Sequence, residues 1–388
     1  MKRKVAILGS TGSIGKTTFN ILKNNSKDFK VELLTTNKNI NEILKQAKIL
    51  KVKNIIVTSK NHYEKIKRTA EKKIRIYNNL DVIKKIFKKK KIDYTMSAIT
   101  GIAGLKPTLD AISISKTIAI ANKESIICAW NLIEKELFKN KTKFIPIDSE
   151  HFSIWSVINN STDKHIEEII LTASGGPFLK KSINFIKNAN PKLAVKHPNW
   201  IMGKKISIDS ATMMNKIFEI IEAQRIFKID KTKFKIIIHP KSYVHSIIKF
   251  NNGLIKIVAH DTNMKIPIYN SMHQEGNCLL RTNKLNYNIL NNLNLSKPNI
   301  KKFPSLKLLK KIKNKVSLFD TILISANDEL VNLYLKRNIN FNDITNNLLR
   351  ILESNEFKPY LSKKPSNADQ IVKLNKQVRL KTIEQCIK

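Results

Sequence analysis

Cysteine is nearly absent, with three residues at positions 128, 278 and 386 of a 388-residue chain. That spacing excludes a disulfide framework and the paired thiolates of a zinc site, and it leaves the three as reduced thiols without a chemical role. Long apolar runs are missing too. Nothing approaches ~20 uninterrupted apolar residues, which excludes a membrane-spanning helix of the usual kind. The first apolar run, Val5 to Leu8, begins too early for a cleavable leader, so the expectation is a cytoplasmic protein with no membrane partner. Acidic residues are few, 30 against 71 Lys and Arg, for a formal charge of +41. Such charge admits nucleic acid as a ligand, because clustered cations attract phosphate backbones. The distribution argues against it. Lysine runs through every segment beside abundant Asn and Ile, and no RRM, KH, finger or helix-turn-helix signature is present. We read the charge as a compositional bias of the kind an AT-rich genome imposes, with no nucleic-acid partner. The stretch Lys84 to Lys91 reads as a solvated helix end.

What is present is an ordinary globular share of hydrophobic residues, 42%, in a chain too long for one core. Over the first 150 residues short apolar runs (KVAILG at 4–9, VELLTT at 31–36, NIIVT at 54–58, DYTMSAI at 93–99, TIAIAN at 117–122, KFIPID at 143–148) alternate with helical stretches. This alternation predicts a parallel sheet with crossover helices. A second region mixes the strand EEIILTAS, one long helix IDSATMMNKIFEIIEAQRIF, and a hairpin in which SIIKF and LIKIVAH flank Asn251-Asn252-Gly253. Periodicity then fades into a linker and returns as helical spacing after Ser305. The expected architecture is α/β: an N-terminal Rossmann-like dinucleotide domain (1–148), a central α+β catalytic and dimerisation domain (149–273), a linker (274–304) and a small C-terminal helical domain (305–388).

KVAILGSTGSIGKTTFNIL is strand, glycine turn and helix, with Gly9, Gly12 and Gly15 spaced GxxGxxG. Such a turn lets backbone approach a pyrophosphate whose charge rests on helix N-terminal amides, so Thr11, Gly12, Ser13 and Ile14 are the expected phosphate-facing positions. Sites that choose NAD place an acid at the end of the second strand. Here that strand ends Thr35-Thr36-Asn37-Lys38-Asn39, with no acid and with Lys38 suited to a 2′-phosphate, which predicts NADPH.

The run KFIPIDSEH leads an apolar strand into Asp148, Ser149, Glu150 and His151. In an extended chain Asp148 and Glu150 point to one side, and carboxylates so placed need a cation or proton to neutralise them. Glu219 is a third candidate, sharing a helix face with Asn215 and Lys216. An all-oxygen set suits Mg²⁺ or Mn²⁺. Glu222 reads as a solvated charge paired with its i+3 neighbour Arg225. Ser174, Gly175 and Gly176 after a predicted strand, with His197, Ser210, Asn215 and Lys216, supply the donors that a phosphoryl group needs. Trp200 and Met202 stand in a polar, glycine-bearing stretch and are candidates for a lid that excludes water. His245 is either a sheet histidine or a site residue.

Taken together, GSTGSIG, ANKES, PIDSEH, SGGPF, HPNWIMGKKISIDSATMMNK and HPKSYVHS, in this order, make the sequence similar to the 1-deoxy-D-xylulose 5-phosphate reductoisomerase family. The likeness beyond residue 265 rests on MKIPI, FPSL and SANDE. The resemblance implies NADPH contacts from Thr11, Gly12, Ser13, Ile14, Lys38, Asn39, Asn122, Glu124 and Gly203, with Asn37 standing where the family usually has Gly. It implies metal ligation by Asp148, Glu150 and Glu219. It implies substrate contacts from Lys123, Ser149, Glu150, Ser174, His197, Trp200, Met202, Ser210, Asn215, Lys216 and Glu219. Lys123 and Glu150 would move protons while a phosphorylated sugar is rearranged and then reduced, in a homodimer paired through the middle domain. Near position 263 the family's Asp-Met-Arg appears as Asn263-Met264-Lys265, and NSMHQEGN replaces a more aromatic continuation. Two rivals remain: a semialdehyde dehydrogenase using Cys128 as nucleophile, and a non-enzymatic basic binding protein.

Overall fold

The computed structural model describes residues 1–70, 73–88, 91–158, 166–273 and 279–386. They form two compact units, one made of residues 1–125, 131–148 and 264–280, the other of 126–130, 149–263 and 281–388.

The first unit is built on β1 (Arg3–Leu8), α1 (Ser13–Asn24), β2 (Phe29–Thr36), α2 (Ile40–Leu50), β3 (Asn54–Val57), β4 (Arg75–Tyr77), β5 (Ile92–Ser97), β6 (Ser115–Ile120), α3 (Lys123–Asn140) and β7 (Lys143–Pro146). All seven strands are parallel, in the order β4-β3-β2-β1-β5-β6-β7. Val5, Ala6, Ile7 and Leu8 are wholly buried, the continuous apolar run expected of a strand covered on both faces. Strand order reverses at β1, and ligands of open α/β sheets bind where this happens, beyond the carboxyl ends of the strands. The helix Lys265–Met272 belongs to this unit and packs on α1. It is held by Arg3, whose guanidinium donates to the Met272 carbonyl, and by Tyr94, whose hydroxyl lies 2.7 Å from Ser271 Oγ. These contacts group residues 264–273 with the nucleotide-type sheet, whereas their place in the chain suggested the central domain.

The second unit contains α4 (Ser149–Ile158), β8 (Ile166–Ala173), α5 (Lys204–Thr212), α6 (Met214–Phe227), β9 (Phe234–Ile238), β10 (Val244–Phe250), β11 (Ile255–Ala259), α7 (Leu318–Leu335), α8 (Phe341–Glu353) and α9 (Ala368–Cys386). Its sheet runs β11-β10-β8-β9, with β10 antiparallel to both neighbours and β9 parallel to β8. The β10–β11 hairpin turns at Asn251–Gly253 as expected, and Gly253 takes φ +86°. The C-terminal helices are amphipathic layers around α7, which starts with a reciprocal Ser317/Asp320 capping box. Arg225 on α6 pairs with Asp320 at 3.0 Å, both side chains buried, and Asp209 accepts from Asn327 at 2.8 Å, so the helices α5 and α6 are pinned to α7.

Two local readings need correction. The expected single helix from Ile208 to Phe227 is two, because Met213 adopts a left-handed φ of 65° that ends α5 and starts α6. The chain is also not extended from Asp148 to Glu150. Pairing of β7 with β6 ends at Pro146, and α4 begins at Ser149 with Glu150 in its first turn, where a carboxylate is favoured by the helix dipole.

Candidate active site

In the first unit the glycine turn leaves β1 at Gly9, whose φ of +81° and approach to Ala98 admit no side chain. A Cβ at Gly15 would lie 2.3 Å from the Gly9 carbonyl oxygen, so this glycine lets α1 close on the turn. Gly12 caps α1 without a side-chain hydrogen bond, and the amide end of the helix at Ser13 and Ile14 opens at the switch point. Thr11 Oγ1 lies 2.7 Å from Thr36 Oγ1, joining this turn to the end of β2. Asn37, Lys38 and Asn39 follow, all exposed. Asn37 has no positive φ; its side-chain Nδ2 donates to Thr58 Oγ1 at 2.8 Å, so the side chain is accommodated in ordinary backbone. Asn39 caps α2. Asn122 caps α3 by accepting from the Ser125 amide at 2.8 Å and donates to the Gly101 carbonyl at 2.8 Å. The next residues, Lys123 and Glu124, are buried, and Lys123 Nζ is 2.6 Å from Asp148 Oδ2 at the end of β7. The structure thus groups Thr11 to Ile14 with the β2 end, and Lys123 with Asp148.

In the second unit Lys216 is the centre. Its ammonium is 2.6 Å from Glu150 Oε1 and 2.5 Å from Glu219 Oε2, although these carboxylates stand 69 positions apart on α4 and α6. Glu219 is wholly buried, and Asn215 donates to its other oxygen one helical turn earlier. Burial works to raise the Glu150 carboxyl, but Lys216, His245 and the Ser149 hydroxyl at 2.6 Å outweigh it and hold the group well below the usual range. Burial alone would lower Lys216; the two carboxylates hold it above its ordinary value. A salt bridge this deep is costly unless every charge has a partner, and here the partners are supplied from three elements.

Beside it Ser174 leads the Ser-Gly-Gly loop after β8. His197 Nε2 lies 2.8 Å from Ser174 Oγ, while His197 Nδ1 accepts from the amides of Asn199 and Trp200 at 3.2 and 3.0 Å. Those two donors fix the tautomer: the proton sits on Nε2, facing the serine. Burial, with Lys216 nearby, pushes the ring down to about 4, so it is neutral at physiological pH. Gly176 packs so close to Ser210 and Ala211 that a Cβ would fall 2.9 Å from the Ser210 carbonyl oxygen. Trp200 and Met202 are half-buried, and Gly203 is the exposed cap of α5. His245 lies in β10 but belongs with this cluster, its ring 6.0 Å from that of Trp200. Burial and the neighbouring His260 push it down to about 3.

Sequence reasoning missed the brace behind these groups. His151, wholly buried, points Nε2 at the Glu219 carbonyl at 2.8 Å and Nδ1 at the Glu222 carboxylate at 3.4 Å, tying α4 to α6. Glu222 is therefore no solvated charge, and its expected partner Arg225 is engaged by Asp320 instead, because the i+3 neighbour lies across from α7. The available signal was spacing: Glu222 follows Glu219 by one turn. Cys128, needed by the dehydrogenase rival, is wholly buried among apolar residues, which disfavours a thiolate. Cys278 lies outside the described residues.

Fold and site together define a dinucleotide-binding oxidoreductase with a lysine-bridged carboxylate cluster beside a serine and histidine loop. A relative from Pelagibacter ubique (strain HTCC1062), a 1-deoxy-D-xylulose 5-phosphate reductoisomerase, is 53% identical over 383 residues, 98% of each chain. The chain belongs to the 1-deoxy-D-xylulose 5-phosphate reductoisomerase family. Family models agree: 1-deoxy-D-xylulose 5-phosphate reductoisomerase matches residues 5–130, its C-terminal domain 144–227, and the DXP reductoisomerase C-terminal domain 261–381. The Wolbachia pipientis wMel reductoisomerase is 40% identical over 91% of this chain and 90% of its own. Among solved structures, the Zymomonas mobilis reductoisomerase in complex with NADPH superimposes with a TM-score of 0.90 at 31% identity over the whole of both chains. A DOX-P reductoisomerase in complex with NADPH, fosmidomycin and magnesium gives 0.90 at 30% identity, covering 99% of this chain and 98% of that one.

Proposed function

We infer that this chain rearranges and reduces 1-deoxy-D-xylulose 5-phosphate to 2-C-methyl-D-erythritol 4-phosphate, an isoprenoid precursor of the non-mevalonate route, using NADPH and Mg²⁺ or Mn²⁺. The observation that carries the residue assignments is the convergence of Glu150 and Glu219 on one ammonium, in a chain otherwise poor in acids.

Glu150 and Glu219, with Asp148 two residues earlier in the chain, make an oxygen set that fits a hard divalent cation. When bound, the cation supplies Lewis-acid stabilisation of charge on substrate oxygens, and NADPH supplies the hydride. The chain's own residues do the rest. Lys123 and Glu150 hold and move protons at those oxygens. Ser149 orients Glu150. Ser174, with its hydroxyl set by neutral His197, joins Ser210, Asn215 and Lys216 in gripping the phosphate. Trp200 and Met202 exclude water during reduction. Thr11, Gly12, Ser13, Ile14, Asn37, Lys38, Asn39, Asn122, Glu124 and Gly203 form the NADPH set, with exposed Lys38 reading the 2′-phosphate.

Two wider assignments accompany this. The edge strand β11 exposes Ile255 and Ile257, and the turn before it Leu254, each more than half accessible; an open apolar edge favours pairing with a second copy, which supports a homodimer. No helix among the described residues is long and apolar enough to cross a membrane, in keeping with a cytoplasmic enzyme.

The test is NADPH oxidation followed by absorbance. It should require both deoxyxylulose phosphate and a divalent cation. In Glu219→Gln, turnover should fall at least ~100-fold, the scale lost when one charge-stabilising group is removed. The metal concentration for half-activity should rise while NADPH binding stays within twofold. Unchanged turnover would remove Glu219 from the site.

A further inference from the structure

Trp200 is backed by two further rings, His245 and His260, to which that chemistry assigns no task. Register between β10 and β11 shifts by one residue at His245, since Val244 faces Ala259 and Ser246 faces Val258. A bulge of this kind re-aims the side chain of the extra residue. The turned imidazole lies flat on His260, with ring centroids 3.7 Å apart and planes at 21°. His245 Nε2 also lies 3.2 Å from the His260 carbonyl, to which it donates. One residue thus holds both the face and an edge of the His245 ring. His245 also meets Trp200 in a T-shaped contact, with ring centroids 6.0 Å apart and planes at 71°.

His260 is itself fixed. Its amide donates to the Tyr243 carbonyl at 3.0 Å, and its Nδ1 donates to the Asp261 carbonyl at 2.8 Å. That leaves Nε2 as a buried lone pair with no hydrogen-bond partner among the described residues, so the imidazole's contribution is its flat face. Trp200 lies three residues after His197, and its amide is one of the two that set the His197 tautomer. The order of support runs from His260 to His245 to Trp200 to the segment that presents His197 to Ser174.

We propose that His260 is a positioning residue for substrate binding: through its stack on His245 it holds Trp200 and the 197–203 segment in the binding-competent arrangement. The proposal rests on the reductoisomerase reading above. Pre-ordering a segment acts on affinity, because the ordering cost is met before the ligand arrives. An aromatic pair contributes enough for about a five- to tenfold effect.

The experiment compares His260→Leu, which fills the space without a π face, with His260→Phe, which restores the face without nitrogens, in enzyme saturated with NADPH and Mg²⁺. Leu should raise KM for the phosphosugar about five- to tenfold, with kcat and the KM for NADPH within twofold. Phe should return KM to within twofold of the unaltered enzyme. A Leu variant with unchanged KM overturns the proposal, as does a Phe variant as impaired as Leu. Trp200 emission, read in a Trp130→Phe, Trp155→Phe background, needs no turnover. It should shift to longer wavelength with Leu and not with Phe, and the absence of a shift overturns the stack even if the enzyme proves inactive on deoxyxylulose phosphate. Inactivity of the unaltered enzyme, by contrast, sinks the functional reading alone.

Discussion

Lys216 does at the scale of one residue what a bound cation does for a pair of acids. Its ammonium is shared by Glu150 and Glu219 in surroundings that leave its side chain 6% accessible. Lys216→Met keeps the stem and deletes the charge, so two carboxylates must share a buried space unaided. Breaking such a pair costs about 3–5 kcal/mol. Calorimetry should show the variant unfolding earlier, with part of the loss recovered on adding Mg²⁺; a melting temperature equal to that of the unaltered protein would contradict the bridging geometry. His197 makes a second prediction at this scale. Its folded pKa is depressed to about 4 from the ordinary 6.5, so the unfolded chain takes up a proton that the folded one refuses. Its contribution to stability is complete above pH 6.5 and is lost as pH falls toward 4. Urea midpoints should therefore drop less between pH 7 and pH 4.5 in His197→Gln than in the unaltered enzyme.

Among elements, the glycine turn and its helix behave as one piece. Gly15→Ala places a methyl 2.3 Å from the Gly9 carbonyl oxygen, and a clash with backbone is relieved only by moving α1 away from β1. Overpacking of this kind costs about 1–3 kcal/mol. NADPH affinity, measured by quenching of protein fluorescence, should fall at least about tenfold. Gly12→Ala, where the nearest atom is 3.5 Å away, should fold normally. The same elements show what sequence makes legible. Six of the seven parallel strands are buried apolar runs between helices, and periodicity exposes them. The seventh, β4, is three residues long, too short to carry a period. The break at Met213 left no mark, because a non-glycine residue in left-handed backbone is imposed by packing rather than composition. Spacing found the Asn215, Lys216 and Glu219 face; it could not find His151 or His260, whose partners are brought in by other elements.

For the molecule as a whole, charge and the open strand edge pull in opposite directions. A formal charge of +41 resists self-association, yet β11 offers Ile255 and Ile257 to any strand that can pair with it. Ile257→Lys adds one more cation to that edge. Sedimentation at moderate ionic strength should show a dimer for the unaltered chain and a shift toward monomer for the variant, while a variant that still sediments as a dimer would place the interface elsewhere.

The late return of residues 264–280 to the first unit bears on how the protein is made. Synthesis runs from the N-terminus, so the nucleotide-type sheet is finished on the ribosome long before the helix Lys265–Met272 emerges to cover it. Until then Tyr94 and Arg3 lack the groups they hold in the mature chain, Ser271 Oγ and the Met272 carbonyl. More than a hundred residues must be translated between the end of β7 and that closure, a window in which a nascent chain exposes a face that the finished one hides.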